Sequence, residues 1–542
     1  MKAFDYIVVG SGSAGSIVAT RLSEDFDVSV LLLEAGRRDL HPFMAMPLAF
    51  PKVATNPSYI WPFETEPEPG LAGRRLAIWR GKTLGGCSSI NAMINVRGNR
   101  RDYDLWRQQG LTGWGYADVL PYFKKLEASW RGAGPYHGAE GPVSNVLIDQ
   151  ADTHFLTLQQ AALNAGLPFC VDHHGADQDG VSRIEITTSK RGRRASSARA
   201  YLHPASRVRA NLTVLTQAHT TRIVLDGTRA VGVEYLRDGQ LEHVRADREV
   251  VLCAGTYASP QLLMLSGIGP ADQLRAADVE VRHDLGGVGE NLQEHPNLLN
   301  IYRTTEAIGL TRHLRLDRAA LAVARWALFG SGPFATAGTV ANIFARTRPE
   351  LERPDVQIIT MPIHQHAELW FPGLTKRPTY AFTSRVGILH ARSRGWVKLR
   401  SADPRDLPRI RFNMLTEPDD MKTMVAAVRQ SRDIFAQSPM RELIAEELLP
   451  GSAFQTDEEL AGAIRGQSEH RHHAIGTCRM GIDTRAVVDA ELRVIGIDGL
   501  RVADASVMPD DPSGNTNVPT MMIGEKAADL IRGRMLPAEN VA

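Results

Sequence analysis

Residues 5–22 read Asp5-Tyr-Ile-Val-Val-Gly10-Ser-Gly-Ser-Ala-Gly15-Ser-Ile-Val-Ala-Thr-Arg-Leu22, and this stretch decides the fold. The apolar run Tyr6 to Val9 predicts a buried strand, Gly10 to Gly15 a tight turn, and Ile17 to Leu22 a helix with apolar residues at helical spacing. A second apolar run, Val28 to Leu33, completes a βαβ unit and ends on Glu34. Gly10, Gly12 and Gly15 form GxGxxG, which permits a tight turn and a close approach of a pyrophosphate to the helix N-terminus. Glu34 follows Gly15 by 19 residues, where a carboxylate accepts hydrogen bonds from a ribose 2′-hydroxyl and rejects a 2′-phosphate. The glycines alone are a weak signal; with the acid in register they predict a dinucleotide site.

Working outward, strands are expected at Leu212–Leu215, Arg222–Leu225, Ala230–Tyr235 and Glu249–Leu252. The Asp226-Gly227 and Asp238-Gly239 turns make them a small antiparallel insert. Residues 40–80 hold Pro42, Pro47, Pro51, Pro57 and Pro62 beside Trp61 and Phe63, and are expected to form a long irregular excursion over a ligand. Longer segments follow at Val356–Met361, Tyr380–Leu389 and Gly395–Leu399, then a helical stretch over 418–438. The end of the chain returns to strand, loop and helix, through Leu500–Asp504 and Pro519–Gly533. The expected fold class is α/β: a discontinuous Rossmann-like domain (1–155, 195–300 and 475–542) with a second, α+β substrate domain built on an antiparallel sheet (156–194 and 301–474).

Composition narrows the function. A chain of 542 residues exceeds one ordinary core, and 43% hydrophobic with 23% charged residues excludes a disordered or fibrous protein. Sixty-two Lys+Arg against 61 Asp+Glu leave a charge of +1, so no global field favours nucleic acid. Cys87, Cys170, Cys253 and Cys478 show no CxxC spacing, which argues against a disulfide framework and a zinc site and points to a reducing cytoplasm. The first strand begins too early for a secretory signal, so export is not expected. No run approaches the ~18 uninterrupted apolar residues of a membrane span, although peripheral attachment stays open, as does the oligomeric state.

Glu34 does not separate FAD from NAD, since both carry an adenosine ribose. Arg80-Gly-Lys-Thr-Leu-Gly-Gly-Cys-Ser-Ser-Ile-Asn-Ala-Met93 and Gly255-Thr-Tyr-Ala-Ser-Pro-Gln-Leu-Leu-Met-Leu-Ser-Gly-Ile-Gly269 are more specific. With Gly289-Glu-Asn-Leu-Gln-Glu-His295, His473-Ala-Ile-Gly-Thr-Cys-Arg-Met-Gly481 and Gly514-Asn-Thr-Asn-Val-Pro-Thr-Met-Met-Ile-Gly-Glu525, the chain resembles the glucose–methanol–choline oxidoreductases nearly end to end. Its choline-dehydrogenase-like and bacterial alcohol-dehydrogenase branch is the nearest. The resemblance implies FAD, held non-covalently because Ile90 stands where some relatives carry a tethering histidine. Gly81, Gly85 and Gly86 let backbone lie against a flat ring, and Ser88 and Asn91 can bond its heteroatoms. The implied cofactor contacts are Gly10, Gly12, Ser13, Ala14, Gly15, Glu34 and Ala35 at the nucleotide. Arg80, Thr83, Gly85, Gly86, Ser88, Asn91, Ala92, Met93 and Ile94 belong to the first signature. Thr220, Ala254, Gly255, Asp504, Ala505, Asn517, Val518 and Thr520 complete the set, Asp504 as a partner for ribityl or pyrophosphate hydroxyls.

Hydride leaves an alcohol carbon more easily as the hydroxyl loses its proton, so a base must reach that oxygen. By resemblance His473 is the base and Asn517 the carboxamide that fixes the oxygen, at the start of a helix whose positive end faces the flavin. The implied activity is oxidation of an alcohol, primary in the leading case, with reoxidation by O2 or a quinone-like acceptor. The alternatives are a choline-type enzyme acting on a cationic alcohol and a non-catalytic FAD-binding protein. His470 and His472 are expected to be accessory or solvent-facing, and no metal site is expected, because Arg471 interrupts the histidine run. His364, His366, Glu368, Trp370 and Phe371 form a further polar and aromatic cluster. Glu368 and the rings could hold a cation, although a packed strand edge or loop is the better reading.

Overall fold

The first predicted strand forms as Lys2–Val9, followed by the helix Gly15–Leu22 and the strand Val30–Glu34. The computed structural model describes residues 2–148 and 154–541. Val30–Glu34 is buried along its whole length, as expected for a parallel strand covered on both faces. The first sheet runs in the order Leu212–Thr216, Val30–Glu34, Lys2–Val9, Gln240–Leu252, Arg229–Arg237, His219–Asp226, with Leu500–Val502 also paired to the end of Gln240–Leu252. The first four strands and Leu500–Val502 are mutually parallel where they pair. Leu212–Thr216 therefore belongs to the parallel edge and not, as its neighbours in sequence suggest, to the antiparallel insert, which begins only at His219.

The second sheet is antiparallel throughout, ordered Ile444–Leu449, Pro296–Thr304, Ala381–Ile388, Val356–Met361, Ala341–Ala345, Gly180–Arg183, with Glu469–His470 pairing Pro296–Thr304. Its central strands are nearly free of exposed positions. The helix Pro418–Phe435 shares a core with one face, where Met424, Val428 and Phe435 lie buried with Tyr302, Phe382 and Val386. The other face looks toward the histidine-bearing segment 469–473.

The 40–80 stretch is less irregular than its composition suggests. It folds into the short helices Pro42–Ala45 and Phe50–Ala54 and the hairpin Ile60–Glu64/Ala77–Gly81, with prolines in the first turns, where a missing N–H costs nothing. The last helix, Asn517–Arg532, packs on Gly15–Leu22. There Glu525, fully buried, accepts from Arg21 Nε and Nη2 and from the Tyr201 hydroxyl at 2.6 Å.

Close packing sets the nucleotide turn. Gly10 has φ +95°, and a Cβ at Gly15 would lie 1.9 Å from the Gly10 carbonyl oxygen and 2.9 Å from Cys253 Cβ. Gly15→Ala should therefore destabilise the protein by about 1–3 kcal/mol, the range for overpacking, and reduce retained flavin. Gly462→Ala, in the helix Asp457–Gln467 with open space at its Cβ, should instead be neutral or stabilising by up to ~1 kcal/mol. Thermal denaturation of the two variants side by side tests the contrast.

Candidate active site

The glycine turn is backed by the first signature. A Cβ at Gly86 would sit 2.8 Å from Gly12 Cα, and Gly85 N–H donates to the Ser11 carbonyl at 2.9 Å. Glu34 accepts from Ser11 N (3.0 Å), Ser11 Oγ (2.6 Å) and Gly36 N (2.7 Å). A carboxylate offers about four lone-pair sites, so one remains for a ribose hydroxyl. Burial raises the Glu34 pKa against those donors and Lys82. Three observations fit a dinucleotide lying along this turn. The helices Gly15–Leu22 and Asn517–Arg532 both start without a side-chain cap, leaving backbone N–H groups free for an anion. The Thr220 hydroxyl is buried without a partner. A Cβ at Gly255 would meet nothing within 4 Å.

Along the segment 80–94, Ser88 Oγ donates to the Gly85 carbonyl (2.6 Å) and Thr83 Oγ1 to that of Arg37 (2.9 Å). Asn91 Oδ1 accepts from Met93 N (3.0 Å) and Arg194 Nη1 (2.7 Å). Arg194 was not singled out from the sequence. It is buried, also donates to the Ser88 and Met44 carbonyls, and keeps Nη2 unpartnered, so it ties the proline-rich cover to the signature. Burial pulls its pKa down to about 9. Asp504 braces the chain itself: Oδ2 accepts from Gly255 N (2.9 Å) and Ser259 Oγ (2.6 Å), and Oδ1 from Ser506 N (2.8 Å). Ala35, Ala92, Ala254 and Ala505 are half-buried, whereas Met93, Ile94, Val518 and Thr520 are buried.

His473 lies buried between two partners. Its Nε2 is 3.0 Å from Asn515 Nδ2, and its Nδ1 is 2.9 Å from His295 Nδ1. Asn515 Oδ1 in turn accepts from Gln357 Nε2 at 3.4 Å, so its amino group is the one turned to the imidazole. Nε2 of His473 is then the acceptor, and the proton on Nδ1 is donated to His295. His295 Nε2 faces Asp511 at 3.8 Å. Burial lowers the His295 pKa to about 4 and, with Glu294 nearby, raises that of Asp511, and no hydrogen bond joins the two among the described residues. Glu294 Oε1 accepts from the backbone N–H of both His295 (2.9 Å) and His473 (2.8 Å).

This arrangement corrects two expectations, for the carboxamide and for His470. The carboxamide against His473 is Asn515, not Asn517; Asn517 Oδ1 accepts from Ser13 Oγ at 2.7 Å and so joins the final helix to the glycine turn. His470 does not face solvent: it is buried, with Nδ1 at 3.3 Å from Glu294 Oε2. His472 is half-buried and stacks on Trp79, centroids 5.5 Å apart. The 364–371 cluster lies in a partly exposed loop, and the Trp370 and Tyr380 rings already carry the guanidinium of Arg377, 6.0 and 4.1 Å from their centroids.

Two sheets, a glycine turn backed by a second glycine-rich segment, and a buried histidine–carboxamide pair define a flavin-dependent oxidoreductase of α/β fold. The descriptions of GMC oxidoreductase match residues 4–297 and 391–524, and the chain belongs to that family. It is an FAD-dependent oxidoreductase acting on CH–OH groups. An oxygen-dependent choline dehydrogenase of Stenotrophomonas maltophilia is 42% identical, over 99% of this chain and 96% of that protein. One of Pseudomonas fluorescens is 44% identical, over 98% and 94%. Pyridoxine 4-oxidase from Mesorbium loti superimposes with a TM-score of 0.88 at 32% identity, covering 98% of this chain and 99% of that one. A formate oxidase variant of Aspergillus oryzae RIB40 reaches 0.91 at 28%, covering 98% of each. Among the described residues no helix is long and apolar enough to cross a membrane.

Burial and the neighbouring His295, Arg471 and Arg80 push the His473 pKa well below the ordinary histidine value. A base acts when deprotonated, so its competence is full at neutral pH and is lost only as pH falls through the lowered pKa. The acid limb of kcat/KM for alcohol oxidation should have its midpoint below about pH 6.5, the unperturbed value. A midpoint at or above that value would contradict the buried, cation-flanked setting.

Proposed function

We propose that His473 Nε2 takes the hydroxyl proton of an alcohol while Asn515 Nδ2 holds the same oxygen, so that hydride leaves the carbinol carbon and an aldehyde forms. The observation that carries this reading is the convergence of acceptor and donor: Nε2 and the Asn515 amino group, 3.0 Å apart, both address the oxygen that loses its proton. FAD, when bound, supplies the acceptor for the hydride. Gly12, Ser13 and Glu34 would hold its nucleotide end and the 80–94 segment its ring, with Asn517 bracing the turn through Ser13. Ile90, buried with Met44, Val53 and Ile60, offers no side chain for a covalent bond, and we assign non-covalent binding.

The contact with His295 Nδ1 keeps the base in one tautomer, with Nδ1 protonated and Nε2 free. The N-terminal N–H groups of Asn517–Arg532 supply positive potential where charge gathers. Reoxidation is assigned to O2 or a quinone-type acceptor, and the four unpaired thiols suit a reducing cytoplasm. A choline-type substrate is the second reading, favoured by the names of the relatives.

Anaerobic bleaching of the flavin by an alcohol panel tests the assignment. His473→Ala should retain FAD and bleach on the order of 10² times more slowly or worse, the scale of a lost general base. Asn515→Ala should slow bleaching more than Asn517→Ala, which should instead weaken FAD retention. Unchanged bleaching in the His473 variant, or the reverse order of the two asparagines, removes the pair from the mechanism.

A further inference from the structure

The face of the second sheet turned toward His473 carries two cross-strand rows. Strand pairing sets Phe344, Gln357, Gly387 and Asn297 side by side in the first. The same pairing sets Asn342, Ile359, Arg385 and Leu299 side by side in the second. Paired residues of an antiparallel sheet project to one face, and residues two apart share it at a spacing of ~7 Å. The first row adjoins the catalytic pair directly, because Gln357 Nε2 reaches Asn515 Oδ1. Over Gly387 lies the guanidinium of Arg471; a Cβ there would be 2.7 Å from its Nε. Arg385 is therefore one row further from His473, on the same wall.

The hydrogen-bond inventory of this wall is one-sided. Arg471 donates to Asn297 Oδ1 (3.1 Å), Gln357 Oε1 (2.6 Å), the Gln357 carbonyl (2.7 Å) and the Arg385 carbonyl (2.8 Å). Gln357 Nε2 also takes Asn342 Oδ1 at 3.2 Å. The amide acceptors are thus committed, while the amino groups of Asn297 and Asn342, both 0% exposed, have no partner. The Arg385 guanidinium, flanked by Leu299 and Ile359, meets no acceptor, ion-pair carboxylate or ring among the described residues, yet the residue keeps partial exposure. Unmet donors beside a cation are costly unless a ligand completes them.

Charge points the same way. Burial lowers the pKa of Arg385, countered only by Glu469 from beyond ion-pairing distance, and that of Arg471 falls to about 9 for burial and the nearby Arg385. Glu294, whose pKa is lowered beside the pair, is already engaged by His470 and Arg80, and Glu469, paired with Asn297 on the same face, is the carboxylate that acts on Arg385. A quaternary ammonium placed here would add a cation to a site already rich in them.

Resting on the assignment of His473 and Asn515 as the proton-accepting pair, we infer that the substrate is an alcohol bearing a carboxylate, and that Arg385 is the specificity determinant that receives it. The planar fork of the guanidinium matches a carboxylate in two parallel bonds. The carbinol end then lies at His473 and the acid end one row along the sheet.

The test uses FAD-loaded enzyme and three probes: 4-(hydroxymethyl)benzoate, its uncharged isostere 4-(hydroxymethyl)benzamide, and choline. Anaerobic flavin reduction gives a rate and an apparent Kd for each. Wild type should favour the carboxylate over the carboxamide by roughly tenfold or more, the scale of a charge-assisted hydrogen bond, chiefly through Kd, and should reduce least with choline. In Arg385→Ala this ratio should fall to near unity, and in Arg385→Lys, which keeps charge but not the fork, to an intermediate value. Benzoate, which has no carbinol, should perturb the oxidised flavin spectrum of wild type and do so more weakly in both variants; the lysine variant decides the matter if the alanine variant loses its flavin. Preference for choline, or a carboxylate-to-carboxamide ratio unmoved by Arg385→Lys and Arg385→Ala, overturns the inference while leaving the proton-accepting pair intact. Benzoate binding that depends on Arg385, without bleaching by any alcohol, would instead sustain the anion site and remove the assigned reaction.

Discussion

One buried carboxylate holds the reactive region together. Glu294 accepts from the backbone of His295 and of His473, which are 178 residues apart in the chain, and pairs with the ring of His470. An ionised carboxylate deprived of water is stable only when its lone pairs are met and cations lie near. Here the His470 ring and Arg80 outweigh the burial that would otherwise neutralise it. The two imidazole Nδ1 atoms are thereby set at 2.9 Å, and the tautomer of the base follows from their contact with each other and with Asn515.

The two sheets meet at this point, and each contributes a different constraint. The parallel sheet delivers the glycine turn, the signature behind it and the uncapped helix N-termini, all of which place backbone donors around an anionic cofactor. The antiparallel sheet contributes a wall of side chains whose alternate positions face the same space. Arg471 joins the two: it follows His470 in the segment that pairs with Pro296–Thr304 and lays its guanidinium across Gln357 and Asn297. Positive charge is consequently concentrated around a neutral histidine. That combination underlies both the proton acceptor and the anion site proposed above.

Much of the nucleotide half was legible in sequence because its logic is local. Gly10, Gly12, Gly15 and Glu34 occupy adjacent turns and strand ends of a single βαβ unit, and Asn517–Arg532 follows from a proline in the first turn and apolar residues at helical spacing. Assignments failed where a choice depended on distant partners. Leu212–Thr216 looks like its antiparallel neighbours, but the free edge of Val30–Glu34 claims it. Residues 40–80 read as irregular because prolines start short helices as readily as they break long ones.

The amino-acid sequence alone determined the class of fold and a dinucleotide site, since short-range spacing of glycines, acids and apolar residues constrains a chain whatever surrounds it; FAD and the histidine came only from the resemblance carried by the longer motifs. Tertiary structure decided which of two asparagines, two residues apart in Asn515-Thr-Asn517, meets that histidine. At the start of a helix neighbouring side chains leave in different directions: one reaches His473 and Gln357, the other Ser13. It also decided that Arg385 has no ion-pair partner among the described residues, because the neighbours of a sheet residue come from strands remote in sequence, and their registration puts Leu299 and Ile359 directly beside it and Glu469 beyond ion-pairing distance.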